Sequence, residues 1–264
     1  LEDFLIHMHD VKSHAGKQGI FNIHIVSGQG ENIEGLPLPY SFFDYNVRMI
    51  YNSYKDEKHP YYNPSNNKFL FLTGMPDRPN RIGLMSKFYD AGMLDKAEWT
   101  FFPPWTDVDR KWCRNHLDHY TAPAHIDTSV FTNTLFSIVS EGPNYWDDDN
   151  AFATEKSWRC FYLRHPFIFA GHPDQFQYLK DLGYRTFEQY LPIPDYYKLP
   201  NENDRNNAIV ENAKYLLEHR EHDDDIRLDT EENYLQFIKH VITQDNMLAK
   251  FKDEFNVPLE ELDY

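Results

Sequence analysis

Hydrophobic and polar positions follow two rhythms along this chain. Short, mostly apolar runs, "KFLFLTG" (68–74), "AEWTFF" (97–102), "TLFSIVSEG" (134–142) and "PFIFAG" (166–171), read as strands, the first with the signature of a buried one. The segments between them carry helical spacing. Ile82, Met85, Phe88 and Tyr89 recur at intervals of three and four, with Pro79 near the start and Gly92 just past the end. "DVDRKWCRNHLDHY" (107–120) predicts the next helix. Thr154 is placed to cap another that runs to about His165, with Trp158, Phe161 and Tyr162 as its apolar stripe. "PDQFQYLKDLG" predicts a helix stopped at Gly183, and "YRTF" (184–187) a last short strand. Two amphipathic helices follow, over 205–219 and 230–243. In the second, Tyr234, Leu235, Ile238, Val241 and Ile242 mark the expected buried face.

Strands alternating with helices predict an α/β protein with a parallel, helix-flanked, Rossmann-like sheet. Ahead of it, "GIFNIHIVSG" (19–28) reads as a strand. "SFFDYNVRMIYNSY" (41–54) reads as a helix with Phe42, Tyr45, Met49 and Ile50 on one side. The polar stretch "YKDEKHPYYNPSNN" (54–67), with two prolines, marks a boundary. The expected division is a short N-terminal α/β segment, 1–66, and a larger domain, 67–264, that includes the C-terminal helices.

Composition narrows the class. Of 264 residues, 41% are apolar and 16% aromatic, which is ample material for a core. The 26 basic and 42 acidic residues leave a formal charge of −16, which disfavours nucleic acid as a general partner. Two cysteines, Cys113 and Cys160, give no disulfide framework. With no apolar run long enough to span a membrane and no visible secretory leader, the expected location is cytoplasmic, or the host cytoplasm for a viral protein. The chain begins at Leu1 rather than Met, which leaves room for an upstream segment.

The charged residues near the expected strand ends carry the candidate chemistry. In an open parallel sheet, ligands sit beyond the carboxyl ends of the strands, where helix N-termini converge. Arg81 falls in the first turn of the helix after 68–74, and Glu141 at the end of 134–142. Glu155, Lys156 and Arg159 open the helix after that. Cations at a helix N-terminus oppose its dipole, so a bound anion is one way to offset them. Ordinary helix-end charges are the competing explanation. If the sheet forms as read, all five residues face one crevice, with cations for a diphosphate and carboxylates for ribose hydroxyls.

The runs "KFLFLTGMPDRPNRIGLMSKFYDAGML", "LFSIVSE", "ATEKSWRCFYLRHPFIFAG" and "LKDLGYRTF" together resemble the donor-binding half of GT-B glycosyltransferases. The likeness is to the fucosyltransferase-like group and its phage and bacterial relatives, over about residues 68–190. It implies a GT-B-like fold and transfer of a sugar from a nucleotide-sugar donor to a hydroxyl acceptor, without a metal or other cofactor and with inversion. Carried over by position, Arg81, Lys156 and Arg159 would bind the phosphates and Glu155 the ribose, while Glu141 would line the donor pocket. The chain departs from the group's pattern where "SEGPN" replaces Glu-Asn-Ser, which leaves the sugar open. An inverting transfer needs a base from the N-terminal segment. Asp44 is the nominal choice, with Glu34 and His24 nearby. The acceptor would be a glycan, a lipid-linked sugar or another hydroxyl, with modified viral DNA the least favoured.

Three other readings compete. In "FLIHMHD", His7 and His9 alternate as metal ligands of a phosphoesterase or amidohydrolase would, and His24, His116, His119 and His125 are further candidates. The Asp triplets in "WDDDN" (146–150) and "HDDDI" (222–226) offer the Asp-x-Asp element of a GT-A enzyme, although both sit in acidic, solvated surroundings. A nucleotide-sugar-binding module without turnover is the third.

Overall fold

Four parallel strands, β1 (Phe69–Thr73), β2 (Ala97–Phe101), β3 (Ser137–Ser140) and β4 (Phe167–Ala170), form one sheet in the order β2-β1-β3-β4. The computed structural model describes residues 45–57, 62–63, 65–73, 79–101, 126–141 and 153–255. Among these residues seven α-helices accompany the sheet: α1 (Tyr45–Tyr54), α2 (Pro79–Asp90), α3 (Ser129–Thr132), α4 (Glu155–Tyr162), α5 (Pro173–Asp181), α6 (Glu202–Glu218) and α7 (Asp223–Phe255). Among the described residues the chain is thus an α/β protein with a parallel sheet, compatible with a Rossmann-like fold. The helix expected over 107–120 and the strand over 19–28 lie outside the described residues.

Local chemistry explains the boundaries. Past α2, Gly92 takes φ +66°, and the Met93 amide donates back to the Phe88 carbonyl at 2.9 Å. Past α5, Gly183 takes φ +85°, and the Tyr184 amide donates to Leu179 at 3.0 Å. Both closures need a left-handed residue, the conformation glycine adopts without a Cβ penalty. At the start of α5, His172 accepts from the Asp174 amide and Gln175 reaches back to the His172 amide, a reciprocal cap.

The chain leaves β1 toward β2 on one side and reaches β3 on the other. Right-handed crossovers running in opposite directions require α2 and α4 on opposite faces. Helix packing agrees, since α2 packs with α6, whereas α4 packs with α1 and α7. Trp158 of α4 is fully buried, edge-on to Phe237 and His240 of α7 and to Tyr184. Val47, Ile50 and Tyr54 of α1 join the same core; Met49, expected there, is only half-buried.

Two expectations are corrected. "YRTF" is not a strand: Phe187 has φ +66°, and the Arg185 amide and carbonyl are both bonded to the Asn233 side chain, at 2.7 and 2.9 Å. A side chain has taken the place of a neighbouring strand. The helix expected over 230–243 is 33 residues long, and its buried face is only partly the expected one: Val241 is buried, and Tyr234 and Ile238 pack against the core. Leu235 and Ile242 are 64% and 53% exposed, whereas Thr230, Asn233, Phe237, His240 and Gln244 are buried.

Candidate functional site

Because β1 connects to β2 on one side and β3 to β4 on the other, the topological switch point lies between β1 and β3. At the carboxyl edge of such a sheet, the two helices that follow the central strands diverge and leave a crevice. Here those helices are α2, which opens with Asn80 and Arg81, and α4, which opens with Glu155 and Lys156. The register Leu70↔Ser137 brings the ends of β1 and β3 level.

At the end of β3, Glu141 has no exposed surface. Its backbone continues the ladder by donating to Ala170 at 3.0 Å. The Oε1 atom accepts from the Thr154 amide at 3.1 Å and from Ser157 Oγ at 2.6 Å. The Oε2 atom accepts from the Thr154 hydroxyl, with Lys156 Nζ 3.9 Å away. Lys156 Nζ also donates to Thr154 Oγ1 and to Glu155 Oε1, each at 3.0 Å. Thr154 is the helix cap that the sequence predicts, accepting from the Lys156 amide. Burial pushes the Glu155 carboxyl up. Lys156, by charge and hydrogen bond, and Arg159, by charge, outweigh that and hold it below the usual carboxylate value.

The expected residues are therefore partly gathered. Glu141, Glu155 and Lys156 converge around Thr154, which makes Glu141 an internal anion for the charged first turn of α4. Glu155 and Lys156 keep about a fifth of their side chains exposed at the crevice. Arg159 lies further along α4, buried, and hydrogen-bonds Tyr54 of α1. The Tyr54 hydroxyl in turn donates to the Ile126 carbonyl at 3.0 Å and accepts from its amide at 2.6 Å. Arg81 is buried at the start of α2, across the switch point. Asp44, His7, His9, His24, Glu34, His116, His119 and His125 lie outside the described residues, as does "WDDDN".

Sequence reading did not single out Thr73, Asn80 or Ser157. Ser157 bonds Glu141 directly, while Thr73 and Asn80 stand at the junction of β1 with α2. Thr73 had a readable signal, because it continues the alternation of Phe69 and Phe71 in an otherwise apolar run.

The remaining candidates fall elsewhere. Asp223, Asp224 and Asp225 form the acidic first turn of α7, where they suit the helix dipole, and Asp223 accepts from the Tyr62 hydroxyl at 2.8 Å. No group of three or more His, Cys, Asp or Glu residues suited to a metal occurs among the described residues. Nor is any helix among them long and apolar enough to cross a membrane. A small surface recess, lined by Leu135, Phe136, Pro166 and Phe167 among others, lies at the amino edge of the sheet, away from the charged cluster.

No family model matches the chain, and neither a curated protein nor a solved structure is significantly similar to it. Its fold and site define an α/β parallel-sheet protein with charged helix N-termini at its switch point.

Proposed function

We propose that the chain is a GT-B-like glycosyltransferase, metal-independent and inverting, which moves a sugar from a nucleotide-sugar donor to a hydroxyl acceptor. The observation that carries the reading is the switch point itself. Two helix N-termini flank the central strands there, with Arg81 on one and Lys156 and Glu155 on the other. Such an edge suits a diphosphate, and Glu155, ionised and part-exposed, suits ribose hydroxyls.

In this reading Arg81 and Lys156 stabilise the leaving diphosphate, with Arg159 supporting the cluster through Glu155. That electrostatic role is the principal catalytic contribution assigned here. Glu141 holds the first turn of α4 in place and positions Lys156 rather than touching the donor. Asp44 remains the nominal base, to be contributed from the N-terminal side.

Calorimetry with UDP, GDP and their sugars tests the donor site. Arg81→Ala and Lys156→Ala should each weaken binding by about ten- to a hundredfold, the loss of one charge-assisted contact of about 1.5–3 kcal/mol. Unchanged affinity in both variants would remove the site. Turnover of a sugar-nucleotide panel in EDTA, with product anomers assigned by NMR, tests the rest. Activity abolished by EDTA, or retention of configuration, would overturn the metal-free inverting mechanism.

A further inference from the structure

β1 and β3 end in the same way and are completed differently. Side chains alternate along a strand. Phe69 and Phe71 face Phe88 of α2, with ring centroids 5.2 and 5.3 Å apart. Thr73 is next in that alternation. A crossover helix runs back along its strand, so Thr73 lies beneath the first turn of α2. On the other side of the switch point, Ser137 lies against Cys160 of α4, and two steps further Glu141 lies beneath the first turn of that helix.

At α4 a carboxylate fills this position and takes donors from Thr154 and Ser157. At α2 the equivalent position is lined by donors. Thr73 Oγ1 and Asn80 Nδ2 are both buried with no hydrogen-bond partner among the described residues, on side chains only 2% and 9% exposed. The first turn of α2 contains no acidic residue. Glu202, the carboxylate facing Gly83 further along the helix, is within reach of the Asn206 amide. Buried donors without acceptors are costly, and buried polar groups in native proteins are nearly always satisfied. Two of them at the positive end of one helix form a cradle for anionic oxygens.

We infer that the end of β1 and the first turn of α2 form a phosphate subsite, in which the Thr73 hydroxyl and the Asn80 side-chain amide donate to oxygens of a diphosphate beside Arg81. The donor cradle rests on geometry alone; its assignment to a sugar nucleotide rests on the function proposed above. α2, and not α4, is then the helix whose N-terminus receives the phosphate, because Glu141 already occupies that role at α4.

Calorimetry on the full chain with inorganic pyrophosphate, UDP and GDP tests this. Asn80→Asp should weaken pyrophosphate binding by about tenfold or more. Its urea midpoint should not fall, because a carboxylate in the first turn favours the helix; a purely structural Asn80 would lower the midpoint and leave binding alone. Thr73→Val should weaken binding similarly, and Thr73→Ser should restore it. Pyrophosphate and nucleotides bound as tightly by Asn80→Asp and Thr73→Val as by the parent chain would overturn the subsite and leave the nucleotide reading standing. Pyrophosphate bound through these residues, with UDP and GDP no tighter, would remove the nucleotide reading and keep the subsite. A chain that binds none of the three probes would overturn both.

Discussion

Glu141 is a carboxylate without exposed surface, accepting hydrogen bonds from Thr154 and Ser157 beside a lysine ammonium. Replacing it with Gln puts an amide donor among donors, so part of the cluster loses its acceptor. Glu141→Gln should cost about 3 kcal/mol of stability, read as a lower urea midpoint with little change of slope. A second residue sets the acid limb. His165 is fully enclosed, edge-on to Phe131, and burial pushes its imidazole down to about 3, against a hydrogen bond with Phe136 that raises it. The unfolded chain takes up this proton as pH falls through about 6.5, whereas the native state does not until about 3. Native stability should therefore fall across that window, by a total on the order of 4 kcal/mol. Glu155, held below its usual 4.5, adds its loss only at the acid end, as pH falls below that value. Urea unfolding from pH 7 to pH 4 should show a shallower slope in His165→Gln, while Glu155→Gln leaves the part above pH 5 unchanged. A parallel slope in His165→Gln would refute the assignment.

Several elements are finished by side chains that act as a missing strand. Asn233 accepts from the Arg185 amide and donates to its carbonyl; Asn212 does the same for Ile193, at 3.0 and 3.1 Å. The Tyr196 hydroxyl accepts from the Phe169 amide and donates to its carbonyl, which occupies the outer edge of β4, the last strand of the sheet. Asn233→Leu would strand two backbone groups beneath α7. It should cost about 2–4 kcal/mol in urea unfolding, and amide exchange at Arg185 should rise with it. These clamps also show where sequence reading stops. The four strands were legible because each is short and mostly apolar, and α2, α4 and α5 because cap or glycine signals mark their ends. "YRTF" has strand-forming residues but no strand beside it. Part of the buried face of α7 was hidden because Thr230, Asn233, His240 and Gln244 occupy core positions that hydropathy assigns to solvent, while Leu228, Leu235 and Ile242 are exposed. At the candidate site, Arg81, Glu141 and Lys156 were visible as charges just past strand ends. The inward turn of Glu141 was not, since nothing in its neighbours' polarity shows that Thr154 and Ser157 will fold back onto it.

On the scale of the whole molecule, a charge of −16 surrounds a crevice whose proposed ligand is itself anionic. Binding there must rely on local donors, and the arrangement at the switch point supplies them on both sides of β1 and β3. The backbone clamps have a consequence of a different kind, for the order in which the chain can be assembled. A ribosome releases residue 185 long before residue 233, and Tyr54 is made 72 residues ahead of the Ile126 backbone it will hold. Until the later partner emerges, each of these peptide groups is satisfied only by water. The sheet's central pairings can form while synthesis continues, but the segment after α5 lacks its Asn233 closure before α7 exists. Maturation of this domain thus waits for its carboxyl-terminal helix, and long-range closures of this kind are the contacts that slow folding most.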